Sequence, residues 1–205
     1  MRACIRPWAA VILGVVLAGC SSTGKPPQPG EPQAPVPDMR GRRAMVLPVQ
    51  LRSMVPAGVT IDEEIAYALN AREGERVSWV FPPEVEGILR RSPGVQANLY
   101  SLPVEIFLQA EVNRIGDPLY GEIRRMTTLV GADFAIIPVQ LEYSAEGRYV
   151  LVAALLNPVT GRVLWFGSVQ GDPGAADAPE TLASVTGALA RTLLPGVKSR
   201  GVGSV

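Results

Sequence analysis

Apolar and polar residues alternate along the first half of the folded region in a way that predicts a strand–helix–strand unit. The apolar run over residues 44–51 predicts a buried first strand. Thr60 is followed three residues later by Glu63, which is the spacing of a capping box at a helix start. The apolar positions after it repeat with the helical period: Ile61, Ile65, Ala68 and Leu69. Residues 77–81 then predict a second strand.

Three further helices follow the same period. Pro82 and Pro83 begin a short helix that stops before the turn at residues 92–94. Pro103 begins another, and its apolar stripe consists of Val104, Phe107, Leu108, Val112 and Ile115. Asp117 caps the third, with Pro118 at its first position and Gly131 at its end.

From residue 133 the pattern changes to strands. Residues 133–144, 148–157 and 162–170 predict three strands, and the short turns between them make neighbours antiparallel. Asp177 caps a last helix that Pro195 stops; its apolar stripe is Leu182, Val185, Leu189 and Leu193. The predicted fold class is α+β (mixed α/β): a strand–helix–strand unit, then helices, a three-stranded antiparallel meander and a C-terminal helix, packed on one mixed sheet.

The first twenty residues predict a bacterial lipoprotein leader. Arg2 and Arg6 form a positive n-region, and residues 8–18 are apolar over a signal-peptide length. The leader ends Leu-Ala-Gly-Cys, which resembles a lipobox, so we expect cleavage between Gly19 and Cys20 and a diacylglyceryl group on the Cys20 sulfur. Ser21 at the next position resembles an outer-membrane address. We therefore expect a protein held by acyl chains in the outer membrane and facing the periplasm.

These features divide the chain into four parts. Residues 1–19 are the signal peptide, residues 20–41 the lipidated cysteine with a proline-rich tether, residues 42–195 one globular periplasmic domain, and residues 196–205 a flexible tail. Six prolines between residues 26 and 37 favour an extended polyproline conformation. The tether is interpreted as a spacer, with a ligand for an aromatic groove as the alternative.

Composition removes several classes of function. The sequence contains no histidine, and its two cysteines, Cys4 and Cys20, both belong to the leader and anchor. A histidine-dependent active site and a thiolate metal site are therefore excluded. The mature chain of 186 residues has a formal charge of −2, which makes a nucleic acid partner unexpected. We expect no catalytic residue, no metal and no cofactor.

Carboxylates are the remaining catalytic option. Nine of the nineteen acids fall at predicted helix starts, where they complement the helix dipole. A paired-carboxylate hydrolase remains an alternative. The run Asp62-Glu63-Glu64 lacks the alternation of a calcium loop and is interpreted as helix capping.

Two sets of side chains are candidates for contacts with other molecules. Trp79, Trp165 and Phe166 form a possible interaction surface, with a role in the core as the alternative because each lies in a predicted strand. Arg40, Arg42 and Arg43 stand at the junction between tether and domain. They are candidates for contact with anionic lipid head groups, with a solvated basic edge as the alternative.

Three segments resemble a known family. The opening strand of the family is resembled by residues 44–48 (Ala-Met-Val-Leu-Pro). A helix-to-strand junction is resembled by residues 130–137 (Val-Gly-Ala-Asp-Phe-Ala-Ile-Ile), and a hairpin by residues 157–165 (Asn-Pro-Val-Thr-Gly-Arg-Val-Leu-Trp). These motifs occur in periplasmic domains related to the TolB amino-terminal domain, CsgG and LpoB-type lipoproteins. The resemblance covers residues 44–194. It implies their fold and a role in binding other envelope proteins, and it supplies no catalytic residues.

The sequence therefore favours a membrane-anchored, non-catalytic accessory or assembly factor that contacts an envelope protein, with a sheet edge as the docking surface. A lipoprotein that binds a small molecule or glycan is the alternative, and it predicts a concave pocket with converging polar groups. A carboxylate-based envelope hydrolase is the third possibility.

Overall fold

In the computed structural model, which describes residues 35–72, 77–95, 97–109 and 112–195, six strands form one open mixed sheet. The leader, Cys20, most of the tether and the C-terminal tail lie outside the described residues. The strands are β1 (Arg43–Val46), β2 (Leu51–Ser53), β3 (Ser78–Val80), β4 (Phe134–Tyr143), β5 (Tyr149–Leu156) and β6 (Val163–Gln170). The helices are α1 (Ile61–Asn70), α2 (Pro82–Arg90), α3 (Ile106–Gln109), α4 (Leu119–Val130) and α5 (Pro179–Leu193).

The sheet has a parallel half and an antiparallel half. Its order is β3-β1-β4-β5-β6, and β2 runs beside β4 further along that strand. The pairs β1–β3, β1–β4 and β2–β4 are parallel, whereas β4–β5 and β5–β6 are antiparallel. The predicted fold class is confirmed, because the α1 crossover joins parallel neighbours and the short turns join antiparallel ones.

Both faces of the sheet are covered. Side chains alternate along a strand, so Ile136 belongs to a core shared with α1 and α5, and Ile137 belongs to a second core shared with α2, α3 and α4. The apolar stripes predicted for α1 and α5 belong to the first core, where all members are buried except Ala68, which is partly buried. Among the described helices, none combines the length and the apolar character that a bilayer crossing requires.

The predicted first strand is divided in two, which corrects the expectation of one continuous strand. β1 ends at Val46 and β2 begins at Leu51. Between them the chain still follows β4, because the Leu47 N–H donates to the Ile136 carbonyl at 2.9 Å and the Gln50 N–H to the Pro138 carbonyl at 3.1 Å. Pro48 interrupts the ladder here, since proline has no N–H to donate.

The helix predicted from Pro103 is wrong in its length. α3 is a single short turn, although four members of the predicted stripe, Val104, Phe107, Val112 and Ile115, are buried in the second core. The end of this segment pairs with the start of β6 instead of continuing a helix. The Ile115 N–H donates to the Gly161 carbonyl at 2.9 Å, and the Val163 N–H to the Asn113 carbonyl at 3.0 Å.

The predicted positions of helix starts and ends agree with the structure more closely than the predicted capping side chains do. α1 begins directly after Thr60, but the Thr60 side chain makes no capping hydrogen bond. α5 begins at Pro179 with Ala178 as its N-cap, so Asp177 is not the cap. α4 begins at Leu119 with Pro118 as its N-cap, so Pro118 is not its first residue and Asp117 is not the N-cap, although Asp117 Oδ1 accepts the Gly121 N–H at 3.0 Å. Gly131 ends that helix at φ +66°, a left-handed conformation that suits glycine.

The packed part of the chain starts before residue 42, where the domain was expected to begin. Met39 is 2 % exposed in the first core, and Val36 packs against the same cluster. Asp38 and Arg40 form an exposed ion pair at 2.8 Å. Residues assigned to the tether therefore contribute to the core.

Candidate functional site

Two depressions share Tyr100 in their lining, and we call them together the Tyr100 groove. The smaller has a volume of about 530 Å³ and the larger about 740 Å³, and Tyr100 lines both. α2 also lines both: Pro82 and Pro83 face the smaller depression, and Glu86, Leu89 and Arg90 face the larger. The smaller depression is completed by side chains from β2, from the start of α1 and from the end of β3, including Arg52, Val59, Thr60, Asp62, Glu63 and Phe81.

The smaller depression lies beyond the carboxyl ends of parallel strands. Phe81 directly follows β3, and the chain leaving β2 leads through Val59 into α1. Open α/β sheets hold ligands at this edge, because crossover connections leave a crevice there. The topology therefore places a concave surface at this edge of the sheet.

Tyr100 is displayed by a loop that is fixed to the sheet. Its side chain is 53 % exposed, although Leu99 and Leu102 on either side are buried. The Gln50 amide holds this loop: Nε2 donates to the carbonyls of Pro48 (2.7 Å) and Leu99 (3.1 Å), and Oε1 accepts the Leu102 N–H at 2.9 Å. An aromatic ring on a backbone held in this way loses little further freedom when it is covered.

Asp62 connects α1 to the strands at the base of the smaller depression. Its Oδ1 accepts the Val49 N–H at 2.8 Å, and its Oδ2 accepts from Arg52 Nη2 at 3.0 Å. Burial raises the pKa of Asp62 above its ordinary value, against the opposing effects of the Val49 N–H and Arg52. Both oxygens of this carboxylate are therefore engaged in positioning neighbouring backbone and side chains.

Glu86 lines the larger depression, where its carboxylate contacts the Tyr100 side chain. Hydrogen bonding to Glu86 raises the pKa of the Tyr100 hydroxyl. Within the described part of the chain, no salt bridge uses Glu86 or Glu63. The groove thus combines an aromatic centre with acidic side chains that ion pairs with the described residues leave uncompensated.

The three aromatic residues nominated from the sequence do not meet in one surface. Trp79 is on β3 and Trp165 and Phe166 are on β6, which are opposite edges of the sheet. Trp165 is 2 % exposed and belongs to the first core, so it cannot form part of an exposed surface. Trp79 and Phe166 are partly buried, and their rings pack against Phe81 and Phe107 at centroid distances of 6.4 and 5.4 Å. A docking role for these two stays a prediction.

The basic residues at the junction are paired with acids. Arg40 contacts Asp38 as described above, Arg42 contacts Asp133 at 3.7 Å, and Arg43 contacts Glu84 at 3.1 Å. All these side chains are exposed in part, so the pairs contribute little to stability. A contact with lipid head groups stays a prediction.

Tyr100 was missed by the sequence analysis. Its neighbours read Leu-Tyr-Ser-Leu-Pro over residues 99–103, which lacks a clear helical or strand period. The feature of the sequence that could have indicated an exposed Tyr100 is its position between Leu99 and Leu102, both of which are buried in the structure. Over the residues that the structure covers, there is no cluster of three or more acidic, cysteine or histidine side chains placed to hold a metal ion.

No family model and no curated protein matches the chain. Among solved structures, the chain is similar to the LpoB C-terminal domain from Salmonella enterica, with 12 % identity, 69 % of this chain and 86 % of that chain covered, and a TM-score of 0.43. It is also similar to the lipoprotein GNA1162 from Neisseria meningitidis, with 16 % identity, coverages of 69 % and 87 %, and a TM-score of 0.42. For TolB from Acinetobacter baumannii the identity is 14 %, the coverages are 79 % and 30 %, and the TM-score is 0.38. With TM-scores below 0.5, these likenesses do not assign the chain to a family.

Proposed function

We propose that this chain is an envelope lipoprotein, anchored through Cys20 in the outer membrane, that acts without catalysis by binding another envelope protein in the Tyr100 groove. The display of Tyr100 supports this proposal most strongly. A half-exposed aromatic ring lines two depressions and stands on a loop that two Gln50 hydrogen bonds, to Leu99 and Leu102, hold in place. Tyrosines in such positions contribute much of the binding free energy at protein interfaces.

The groove also has the mixed character of an interface. Its walls are apolar at Leu89, Pro83 and Phe81, and charged at Glu86 and at the Arg52–Asp62 pair. Apolar contacts supply affinity, and the charged groups select a partner with the matching pattern. The two edge strands of the sheet offer a partner strand fewer free backbone groups. β3 has only three residues, and the start of β6 is already paired with residues 113–115.

A photocrosslinker tests this function. With p-benzoylphenylalanine at Tyr100 in intact cells, we expect one discrete crosslinked species that contains an envelope protein. The matched control is the same group at Tyr67, which is 66 % exposed on α1 and lines neither depression. Once that partner is purified, Tyr100→Ala is expected to weaken its binding by roughly 10- to 30-fold, as for an aromatic hot spot.

The control variant Tyr67→Ala is expected to leave that affinity within about two-fold, since exposed residues outside an interface contribute little. Thermal unfolding of each variant shows whether the domain remains folded. Equal crosslinking at the two positions, or equal loss of affinity in the two alanine variants, would contradict a specific role for the groove.

A second candidate function is the binding of a small molecule or glycan in the smaller depression. Its volume lies in the usual range for ligand sites, and Arg52, Asp62 and Thr60 converge on it. A ligand would raise the melting temperature in a concentration-dependent way. That rise should be lost in Arg52→Gln and kept in Tyr67→Ala.

A further inference from the structure

We propose that the folded domain itself binds anionic lipid head groups through the end of the sheet that carries the turn between β5 and β6. This surface, which we call the arginine end, consists of Arg114, Arg124 and Arg162 around the exposed Val159. It is separate from the Tyr100 groove, so the inference does not depend on what the groove binds.

Arg114 and Arg162 stand directly opposite each other on two paired segments of the chain. The backbone hydrogen bonds donated by Ile115 and Val163 lie on either side of this antiparallel pair. In a pair of this type both side chains leave the same face, with their Cβ atoms about 5 Å apart. Two like charges placed in this way destabilise the pairing, and an anion that contacts both guanidinium groups offsets that repulsion.

Acidic side chains do not neutralise this charge within the described part of the chain. All three arginine side chains of this end are exposed, and none of the salt bridges between described residues uses them. Asp117 lies in the same connection, but its Oδ1 accepts the Gly121 N–H. Glu122 on α4 is paired with Arg125. The arginine end therefore offers three cationic groups to an external anion.

Tyr120 holds Arg124 beside the same turn. The Tyr120 hydroxyl donates to the Val159 carbonyl at 2.7 Å, and a Cβ at Gly161 would lie 3.0 Å from the Cδ2 atom of the tyrosine ring. Arg124 Cζ lies 5.9 Å from the centroid of that ring. Three separate segments of the chain thus bring cationic side chains to one turn.

The tip of the turn carries an apolar side chain. Val159 is 73 % exposed, and Asn157 Oδ1 accepts the N–H groups of Val159 and Thr160, each at 3.0 Å. Because the turn is already held in place, covering Val159 costs little further ordering. A bilayer surface matches this arrangement, since phosphates contact the arginines while the apolar tip enters the interface.

The register of the sheet places this turn at the end where the chain enters the sheet. Ala44 of β1 is paired with Phe134 at the start of β4. Leu156 at the end of β5 is paired with Ala135 of β4 and with Val163 at the start of β6. The groove opens beyond the carboxyl ends of the parallel strands, at the other end of the sheet. A domain that rests on the arginine end therefore leaves the groove facing away from the bilayer.

Vesicle binding by the mature chain with Cys20→Ser tests this proposal without any contribution from an acyl anchor. Phosphatidylglycerol mixed with phosphatidylethanolamine supplies the anionic surface, and phosphatidylcholine alone supplies the neutral one. We expect binding to the anionic vesicles only, and we expect it to weaken with added salt. An arginine near an anionic surface strengthens binding about five-fold, so Arg114→Gln with Arg162→Gln should weaken it by about 25-fold.

Arg148→Gln is the matched control, because Arg148 stands beside the turn between β4 and β5, at the opposite end of these strands. It should change the affinity by less than about two-fold, since the surface potential falls off within a Debye length. Thermal unfolding shows whether each variant is folded. Equal loss of binding in the control and in the double variant would overturn the proposal, as would equal binding to neutral and anionic vesicles.

A fluorescent probe at the turn reports contact with lipid. The Cys20→Ser chain has no cysteine after residue 20, so Val159→Cys carries an environment-sensitive dye at a single position. We expect its emission to shift to the blue on anionic vesicles. The same dye at Met54→Cys should not shift, because Met54 is 78 % exposed and directly follows β2 at the other end of the sheet.

Polyglutamate, an acidic polymer without an apolar surface, separates a lipid from an acidic protein. If polyglutamate competes fully with vesicles and the dye at residue 159 does not shift, the arginine end binds an acidic protein and the lipid proposal is wrong. The outcome is independent of the other proposals: crosslinking at residue 100 tests the groove, and membrane association of the wild type after a salt wash tests the anchor.

Discussion

Asp62 illustrates how a single side chain acquires a role that its position in the sequence does not specify. Three acids follow Thr60, and capping explains all of them equally well from the sequence. In the structure Asp62 instead bridges α1 to Val49 and Arg52, while the Thr60 side chain caps nothing. Because that cap bond is missing, Thr60→Ala is not expected to remove a capping contribution.

The raised pKa of Asp62 predicts a pH dependence of stability. Burial raises the pKa in the folded state above 3.8, so the folded chain holds this proton more tightly than the unfolded chain does. The Asp62 contribution to stability is therefore lost as pH rises through the interval just above 3.8. Asp62→Asn keeps an oxygen for the Val49 N–H and removes the titration.

We expect the free energy of unfolding of Asp62→Asn, minus that of the wild type, to increase from pH 3.5 to pH 7. Urea unfolding at several pH values measures this difference. Glu180→Gln is the control, since Glu180 is an exposed acid in the first turn of another helix, α5, and the difference for this variant should stay flat. A difference for Asp62→Asn that falls with pH would contradict the burial explanation.

At the scale of elements, a close contact between a loop and a helix positions α5 against the sheet. Gly171 follows β6 directly, and the Ser184 hydroxyl of α5 accepts the Asp172 N–H at 2.8 Å. That hydroxyl also donates to the Thr181 carbonyl at 2.7 Å. This contact places the loop before α5 against the helix itself. The start of α5 needs no capping side chain from Asp177 because Pro179 has no N–H and the Thr181 N–H donates to the Ala178 carbonyl at 3.1 Å.

The approach of this loop to α5 leaves no room for a side chain at Gly171. A Cβ there would lie 2.3 Å from Ser184 Oγ and 2.9 Å from the Val185 backbone nitrogen. Gly171→Ala is therefore expected to lower the free energy of unfolding by about 1–3 kcal/mol, through forced displacement of the helix.

Gly94→Ala is the matched control, because a Cβ at Gly94 meets nothing within 4 Å. We expect it to change stability by less than about 0.5 kcal/mol. Denaturant unfolding of both variants makes the comparison. A similar, small effect of both substitutions would show that the loop and α5 move apart easily.

At the scale of the whole molecule, the sheet separates two cores, and the chain enters the first of them earlier than its composition indicates. Met39 follows a proline-rich stretch, yet its side chain is buried with residues of α1 and α5. A boundary between tether and domain thus lies upstream of Met39. The packing of Val36 extends the folded part further in the same direction.

Met39→Ala tests this boundary. Removing a buried methionine side chain is expected to cost about 2–5 kcal/mol of unfolding free energy. Met54, which is 78 % exposed, supplies the control, and Met54→Ala should change stability by less than about 0.5 kcal/mol. Denaturant unfolding of the two variants measures the difference. If Met39→Ala and Met54→Ala had nearly the same free energy of unfolding, Met39 would lie outside the core.

The membrane anchor also belongs to this scale. Cys20→Ser removes the sulfur that the proposed diacylglyceryl group requires, so we expect the protein to leave the membrane fraction. Sedimentation of membranes after a salt wash measures this, and mass spectrometry of the amino terminus of the wild type detects the acyl chains. Continued sedimentation of Cys20→Ser with membranes would argue against the anchor.

The sequence by itself determined the parts of this protein that depend on local periodicity. The apolar period of two or of 3.6 residues decides which face of a segment is buried, so the meander, the stripes of α1 and α5 and the mixed sheet were all predicted. The crossover of α1 followed from the order of strand, helix and strand. These features can be predicted from residues that are close together in the sequence.

The tertiary structure alone decided the site. The Tyr100 groove is built from β2, α1, α2 and the loop at residue 100, which are far apart in the chain. Gln50 fixes that loop through hydrogen bonds to Leu99 and Leu102, about fifty residues away. Periodicity carries no information about such contacts, because they depend on which polar groups the folded sheet leaves without a backbone partner. The exposure of Tyr100, the burial of Trp165 and the bridging role of Asp62 all follow from those long-range contacts.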